Sequence, residues 1–257
     1  MIAWLESLST IGALIVVVGG FVASTMAMGL VVVRLTSHDV RAAHNEMAGF
    51  ILAVLGVVYA VLLAFVAIGV WERYEHAQEL SYQEADALAT IYRDAQSFPD
   101  AAKLRSVLRQ YAESIVTVEW PKMRRGDNTG ITDTPLDTVD RYVRALPSNS
   151  ASLQAVQSQM LDATATAFSD RDGRFTREFV GINELMWAVL ILGAYITVGF
   201  TYLFGFDRTV MQQIMIGGLS LMIGLVLFLV VALDFPFRGG ISVAPTAFTG
   251  LLKSWNP

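Results

Sequence analysis

Charged side chains vanish from four stretches of this chain, residues 11–33, 47–71, 185–206 and 209–233. Each is long enough to cross a bilayer, because a helix rising ~1.5 Å per residue needs about 20 residues for a ~30 Å hydrocarbon core. The pattern predicts an all-α, polytopic membrane protein with four transmembrane helices. A helical soluble domain lies between spans two and three. The partition is an N-terminal transmembrane hairpin over 1–71, the helical domain over 72–184, and a C-terminal hairpin with a short tail over 185–257.

Between the spans the periodicity is helical, with no alternating β-branched run long enough for a sheet. Tyr74, Gln78, Ser81, Ala85, Leu88, Tyr92 and Ala95 repeat at three-four spacing, so span two should continue beyond the membrane. Ser97 and Pro99 open a second helix with the face Leu104, Val107, Leu108, Tyr111, Ile115 and Val118, and Pro121 is expected to end it. A loop containing Gly126, Asp127, Asn128 and Gly130 follows. Pro135 then starts a short helix bearing Leu136, Val139, Val143 and Leu146. From Leu153 the chain should run as helix into span three, giving a bundle built on extensions of spans two and three.

Composition supports a membrane protein: 54% of residues are hydrophobic and only 16% charged. Residues 72–184 hold 18 acidic and 13 basic side chains, so the net charge of −5 resides entirely in this segment and nucleic acid is not an expected partner. There is no cysteine, which excludes disulfides, thiolate metal sites and a cysteine nucleophile. With four spans, both termini and the central domain share one side. That side offers Arg73, Arg171, Arg174, Arg177, Arg238 and Lys253 near the membrane, against Arg34, Arg41 and Arg208 on the other. The positive-inside rule then places the domain and the termini in the cytoplasm.

Span two carries the sharpest pattern. Gly49, Ala53, Gly56, Ala60 and Ala64 form a small-residue stripe of the kind that lets helix backbones approach, either within one subunit or around a symmetry axis. Another edge carries Ile51, Leu55, Val58, Leu62 and Phe65, a bulky row suited to lipid or to an apolar pore constriction. Glu72, Glu75 and Glu79 follow, flanked by Arg73 and His76; repeated in a ring they would make a negative vestibule, and alone they are a solvated helix face. The blocks contain no ionisable coupling group, which disfavours an ion-coupled pump. His38, Asp39, His44 and Glu46 crowd the first loop without a recognised metal spacing, so neither a metal nor a cofactor is expected. No nucleophile–base pair, phosphate loop or paired-carboxylate signature appears, so an enzyme is not expected. At the end of span four, Asp234, Pro236 and Arg238 suggest a clasp in which the proline stops the helix and the two charges pair.

Several strings resemble the bestrophin-like domain family, a bacterial family of four-span membrane proteins of unknown function. They are Val57 through Phe65, Val70 through Tyr74, Glu84 through Leu88, Glu119 to Pro121, Tyr202 to Gly205 and Asp234 to Gly239. The resemblance implies a four-span helical fold and kinship with bestrophins, which are oligomeric anion channels. Acidic residues after span two and the lack of a bestrophin-type calcium-binding string depart from that pattern. The reading that follows is a homo-oligomeric passive ion channel of the bacterial inner membrane, a tetramer or pentamer passing inorganic ions with span two lining its pore. The alternative is a non-conducting scaffold or sensor whose helical domain binds a protein partner.

Overall fold

A computed structural model describes residues 9–36, 45–99, 101–127, 134–179, 181–205 and 209–255, without the side chains of 134, 176–179 and 209. Helices occur in chain order as α1 (Thr10–Leu35), α2 (Asn45–Asp94), α3 (102–123), α4 (Thr134–Arg144), α5 (Ala151–Phe179), α6 (Glu184–Phe200), α7 (Thr209–Leu233) and α8 (Thr246–Ser254). No strand is present among the described residues. Four of these helices are long and apolar enough to cross a membrane, so this is a multi-pass membrane protein. The chain divides into two compact units. One contains Met1–Glu72, Gly181–Asp234 and Gly239–Ile241, and the other Arg73–Val180, Phe235–Arg238 and Ser242–Pro257.

In the first unit α1 packs along α7 and touches α6. Hydroxyl groups and glycines make these contacts, as expected where lipid provides no hydrophobic drive for helix association. Thr25 donates to Ser220 (2.8 Å), Ser24 meets Tyr195 (2.9 Å) and the Tyr202 hydroxyl donates to the Thr25 carbonyl (2.8 Å). A β-carbon on Gly193 would lie 2.7 Å from the Tyr59 ring, and that ring is held by its hydroxyl donating to the Leu190 carbonyl at 3.1 Å. Asn45, at the start of α2, exchanges two hydrogen bonds with the backbone of Gly205 (2.9 and 3.1 Å), tying span two to the end of span three.

The second unit has a conventional core. The apolar faces predicted for α3 and α4 supply buried Leu104, Leu108, Tyr111, Ile115, Leu136, Val139, Val143 and Leu146, packed with Leu88 and Ile91 of α2 and Met160 of α5. Each fully buried aliphatic side chain contributes roughly 1.5–3 kcal/mol. The chain's end belongs here too: Phe248 of α8 is in the core and Trp255 stacks on Tyr92 at 4.3 Å between ring centres.

Val118, expected on the packing face of α3, is exposed, and two expectations about where helices end also fail. Pro121 does not end α3, because a π-helical turn over Ile115–Glu119 precedes it and Pro121 enters the first turn of the segment Trp120–Met123, where a missing N–H costs little. The helix does not run unbroken into span three either. It breaks at 181–183, where the Asn183 side chain caps α6 by accepting from the Leu185 N–H at 2.9 Å.

Candidate pore-lining face and a buried charge cluster

α2 is one unbroken helix of 50 residues, about 75 Å long at ~1.5 Å per residue. Its covered side within the first unit is a single face: Ala48, Tyr59, Leu63 and Val70 are buried. The small-residue stripe is elsewhere. Ala53, Ala60 and Ala64 are exposed, Gly49 and Gly56 are half-buried, and a β-carbon on Gly56 would meet nothing within 4 Å. Within the other spans, glycines that admit close neighbours are Gly29, Gly193 and Gly224, on spans one, three and four.

The bulky row divides. Val58 and Phe65 are 63% and 71% exposed, whereas Ile51, Leu55 and Leu62 form a half-buried shoulder. Phe50, Val54, Val57, Val61 and Ile68 are exposed beside them, so the uncovered side of span two is broad and apolar. Beyond the span, Glu72, Glu75 and Glu79 are exposed as well, and helical spacing puts them on that same side. Glu79 accepts from Gln83 at 3.0 Å and meets His76 at 3.4 Å.

In the second unit α2 turns one glutamate inward. Glu84 is fully buried and bonds Arg174 of α5, with Arg174 Nε to Oε2 at 3.0 Å and Nη2 to Oε1 at 3.3 Å. Glu119 of α3 accepts from Arg174 at 3.0 Å and from Arg171 at 2.9 Å. The Tyr111 hydroxyl donates to Glu84 at 2.6 Å. Arg174 also lies over the rings of Phe175, Trp120 and Phe248 at 5.0–5.8 Å. Burial alone would lower the Arg174 pKa, but Glu84 and Glu119 outweigh it and raise the value. Burial raises the carboxyl of Glu84, with Arg174 and Tyr111 opposing. Burial, Glu84 and Glu119 together hold the Tyr111 phenol well above its ordinary range. This neutral cluster of two carboxylates and two guanidiniums fastens α2, α3 and α5 together.

Sequence reasoning did not find this cluster. Its two carboxylates nevertheless stand in strings that carried the family resemblance, Glu84 through Leu88 and Glu119 to Pro121. Arg171 and Arg174, counted above as membrane-flanking positive charges, are buried and neutralised. The other basic residues on that side of the membrane are Arg73, Arg177, Arg238 and Lys253.

The components of the proposed clasp occupy separate units. Asp234 accepts from the Ile182 N–H at 2.7 Å and from the Trp187 indole at 3.4 Å, so it joins the end of span four to the start of span three. In the other unit, Pro236 lies just beyond the last residue of α7 and Arg238 lies over the Phe235 ring at 4.7 Å. Its guanidinium comes so close to Gly126, which has φ 67°, that a β-carbon there would lie 2.6 Å from it. His38, Asp39 and His44 are outside the described residues, and Glu46 is exposed. Among the described residues no group of three or more His, Asp or Glu side chains is placed to hold a metal ion.

Two solved structures share the fold. A bacterial bestrophin homolog from Klebsiella pneumoniae, crystallised as a point mutant, is 14% identical with a TM-score of 0.69, covering 93% of this chain and 99% of that one. A crystallised membrane-protein variant is 13% identical with a TM-score of 0.69, covering 92% and 96% respectively. No curated protein matches the chain. A family model does match, over residues 19–248. With that match spanning nearly the whole membrane-to-domain architecture, the chain belongs to the Bestrophin-like domain family.

Proposed function

We propose that this protein is a homo-oligomeric passive ion channel of the bacterial inner membrane, with span two arranged about the symmetry axis. The observation that carries the reading is the uncovered side of α2, which is apolar from Phe50 to Ile68 and acidic at Glu72, Glu75 and Glu79. In a lone subunit lipid satisfies the apolar part and water the carboxylate row; arranged about an axis, the same helix side becomes one continuous pathway from apolar to acidic. In a ring of four or five subunits, Ala53, Ala60 and Ala64 with Gly49 and Gly56 form the packing edge between neighbours. Val58 and Phe65 narrow the pathway, with Ile51, Leu55 and Leu62 behind them, and act as an apolar constriction that gates by dewetting. The carboxylates then raise the local cation concentration, so cations are favoured over anions. The helical domain and termini face the cytoplasm. Fold similarity to a bestrophin homolog supports this architecture.

Reconstitution in planar bilayers tests the reading. Cation-selective currents are expected, with reversal potentials moving toward zero when Glu72, Glu75 and Glu79 are all replaced by Gln, most visibly at low ionic strength. Wild-type anion selectivity would refute the acidic-ring mechanism. Silent bilayers containing correctly assembled protein would favour the scaffold or sensor.

A further inference from the structure

Buried carboxylates in this protein generally have donors. Glu84 and Glu119 have arginines, and Asp234 has a backbone N–H and an indole. Asp170 differs. It is only 7% exposed, and its Oδ2 is closed off from solvent and accepts no hydrogen bond among the described residues. The arginines nearest in sequence are Arg171 and Arg174, and both reach into the Glu84–Glu119 cluster. One turn away, Gly173 lets Leu80 of α2 approach so closely that a β-carbon would lie 3.0 Å from the leucine Cδ1. The charged groups that α2 presents to Asp170 are Glu79 and His76, which contact each other at 3.4 Å.

An ionised carboxylate with a sealed, unpartnered oxygen is costly, and an added proton removes both the charge and part of the desolvation penalty. We propose that Asp170 is a proton-binding site that sets the charge beside the His76–Glu79 segment of α2. With the proton bound, the carboxyl is neutral and Glu79 is the negative group there; with the proton lost, a second negative charge stands next to it. The proton is exchanged with solvent, and no other reactant is required. Burial raises the Asp170 pKa, Glu79 raises it further, and His76 opposes them. The consequence for conduction, a vestibule rim that becomes more negative as pH rises, rests on the channel reading above.

The linkage fixes the sign. Because the folded-state value lies above the unfolded one, the folded protein holds this proton more tightly, and stability falls as pH rises through the interval between them. Asp170→Asn mimics the protonated form and cannot lose it. Thermal unfolding of the full-length protein in detergent should therefore give Asp170→Asn a midpoint a few degrees above wild type at mildly alkaline pH. The difference should vanish at acidic pH. Equal midpoints at every pH, or a variant less stable at every pH, would overturn the proposal. In bilayers at low salt, the rise of cation conductance with pH should be smaller in Asp170→Asn than in wild type, and His76→Gln, which removes the neighbouring imidazole and keeps Asp170, should retain the wild-type rise. Silent bilayers accompanied by the stability signature would sink the channel and leave the proton site standing; conducting channels without that signature would do the reverse.

Discussion

The two units solve the problem of holding helices together by opposite means. In the membrane unit no Asp, Glu, Lys, Arg or His side chain is buried among the described residues of the spans, and contact is made by Thr25, Ser220 and Tyr202 with close approach at Gly29, Gly193 and Gly224. In the other unit a core of aliphatic and aromatic side chains closes around Arg174, Glu84 and Glu119. A single helix, α2, serves both. Where it meets the charge cluster its inward face is sealed, whereas in the membrane most of its girth is uncovered. The difference separates what the chain completes for itself from what it leaves to lipid or to other copies.

Removing Arg174 should break that contrast most severely. Arg174→Ala leaves Glu84 and Glu119 buried without their shared cation, a loss of about 3–5 kcal/mol for breaking a buried pair. Thermal unfolding of the detergent-solubilised protein should show a large drop in midpoint or a failure to accumulate. A triple replacement, Glu84→Gln, Glu119→Gln and Arg174→Met, removes the charges together and should recover part of that loss. An Arg174→Ala variant as stable as wild type would mean that the cluster does not fasten these helices.

How much of this was legible beforehand follows the same division. Spans are written in runs of uncharged residues, and the faces of α3 and α4 in three-four spacing, so Leu104, Leu108, Leu136, Val139 and Val143 could be placed in a core from sequence. The charge cluster was not legible, because hydropathy treats Glu84, Glu119 and Arg174 as solvent-facing, and their 35- and 55-residue separations encode no local period. Pro121 misled for a related reason: a proline reads as a stop unless the preceding π turn is known. The stripe on span two could be seen, but not its covering, since that depends on neighbours the sequence of one chain does not specify.

Gly193→Ala should produce a smaller effect, confined to the membrane unit. The added methyl would lie 2.7–2.8 Å from two Tyr59 ring carbons, so the ring must move and the hydrogen bond to Leu190 must lengthen or break. Overpacking of this kind costs about 1–3 kcal/mol. Replacing Tyr59 by Phe in the same background tests the cause, because it removes the hydroxyl without removing the clash. If Gly193→Ala unfolds at the wild-type temperature, spans two and three do not approach as closely as this packing requires.

The smallest expected effect on the single chain is the most informative for the proposed assembly. Gly56 has open space around its β-position and Ala60 is exposed, so neither Gly56→Leu nor Ala60→Leu should meet an obstacle within its own subunit. Surface substitutions without such obstacles usually change stability by no more than about 0.5 kcal/mol. If the stripe seats a neighbouring copy, the larger side chain must instead push two backbones apart, and the loss appears in the oligomer. Native mass spectrometry in mild detergent should show the wild type as a closed ring and both variants shifted toward smaller species, while their helical content is unchanged. Unchanged assembly in both variants would assign this side of span two to lipid, and with it the axis would have to be sought on another helix.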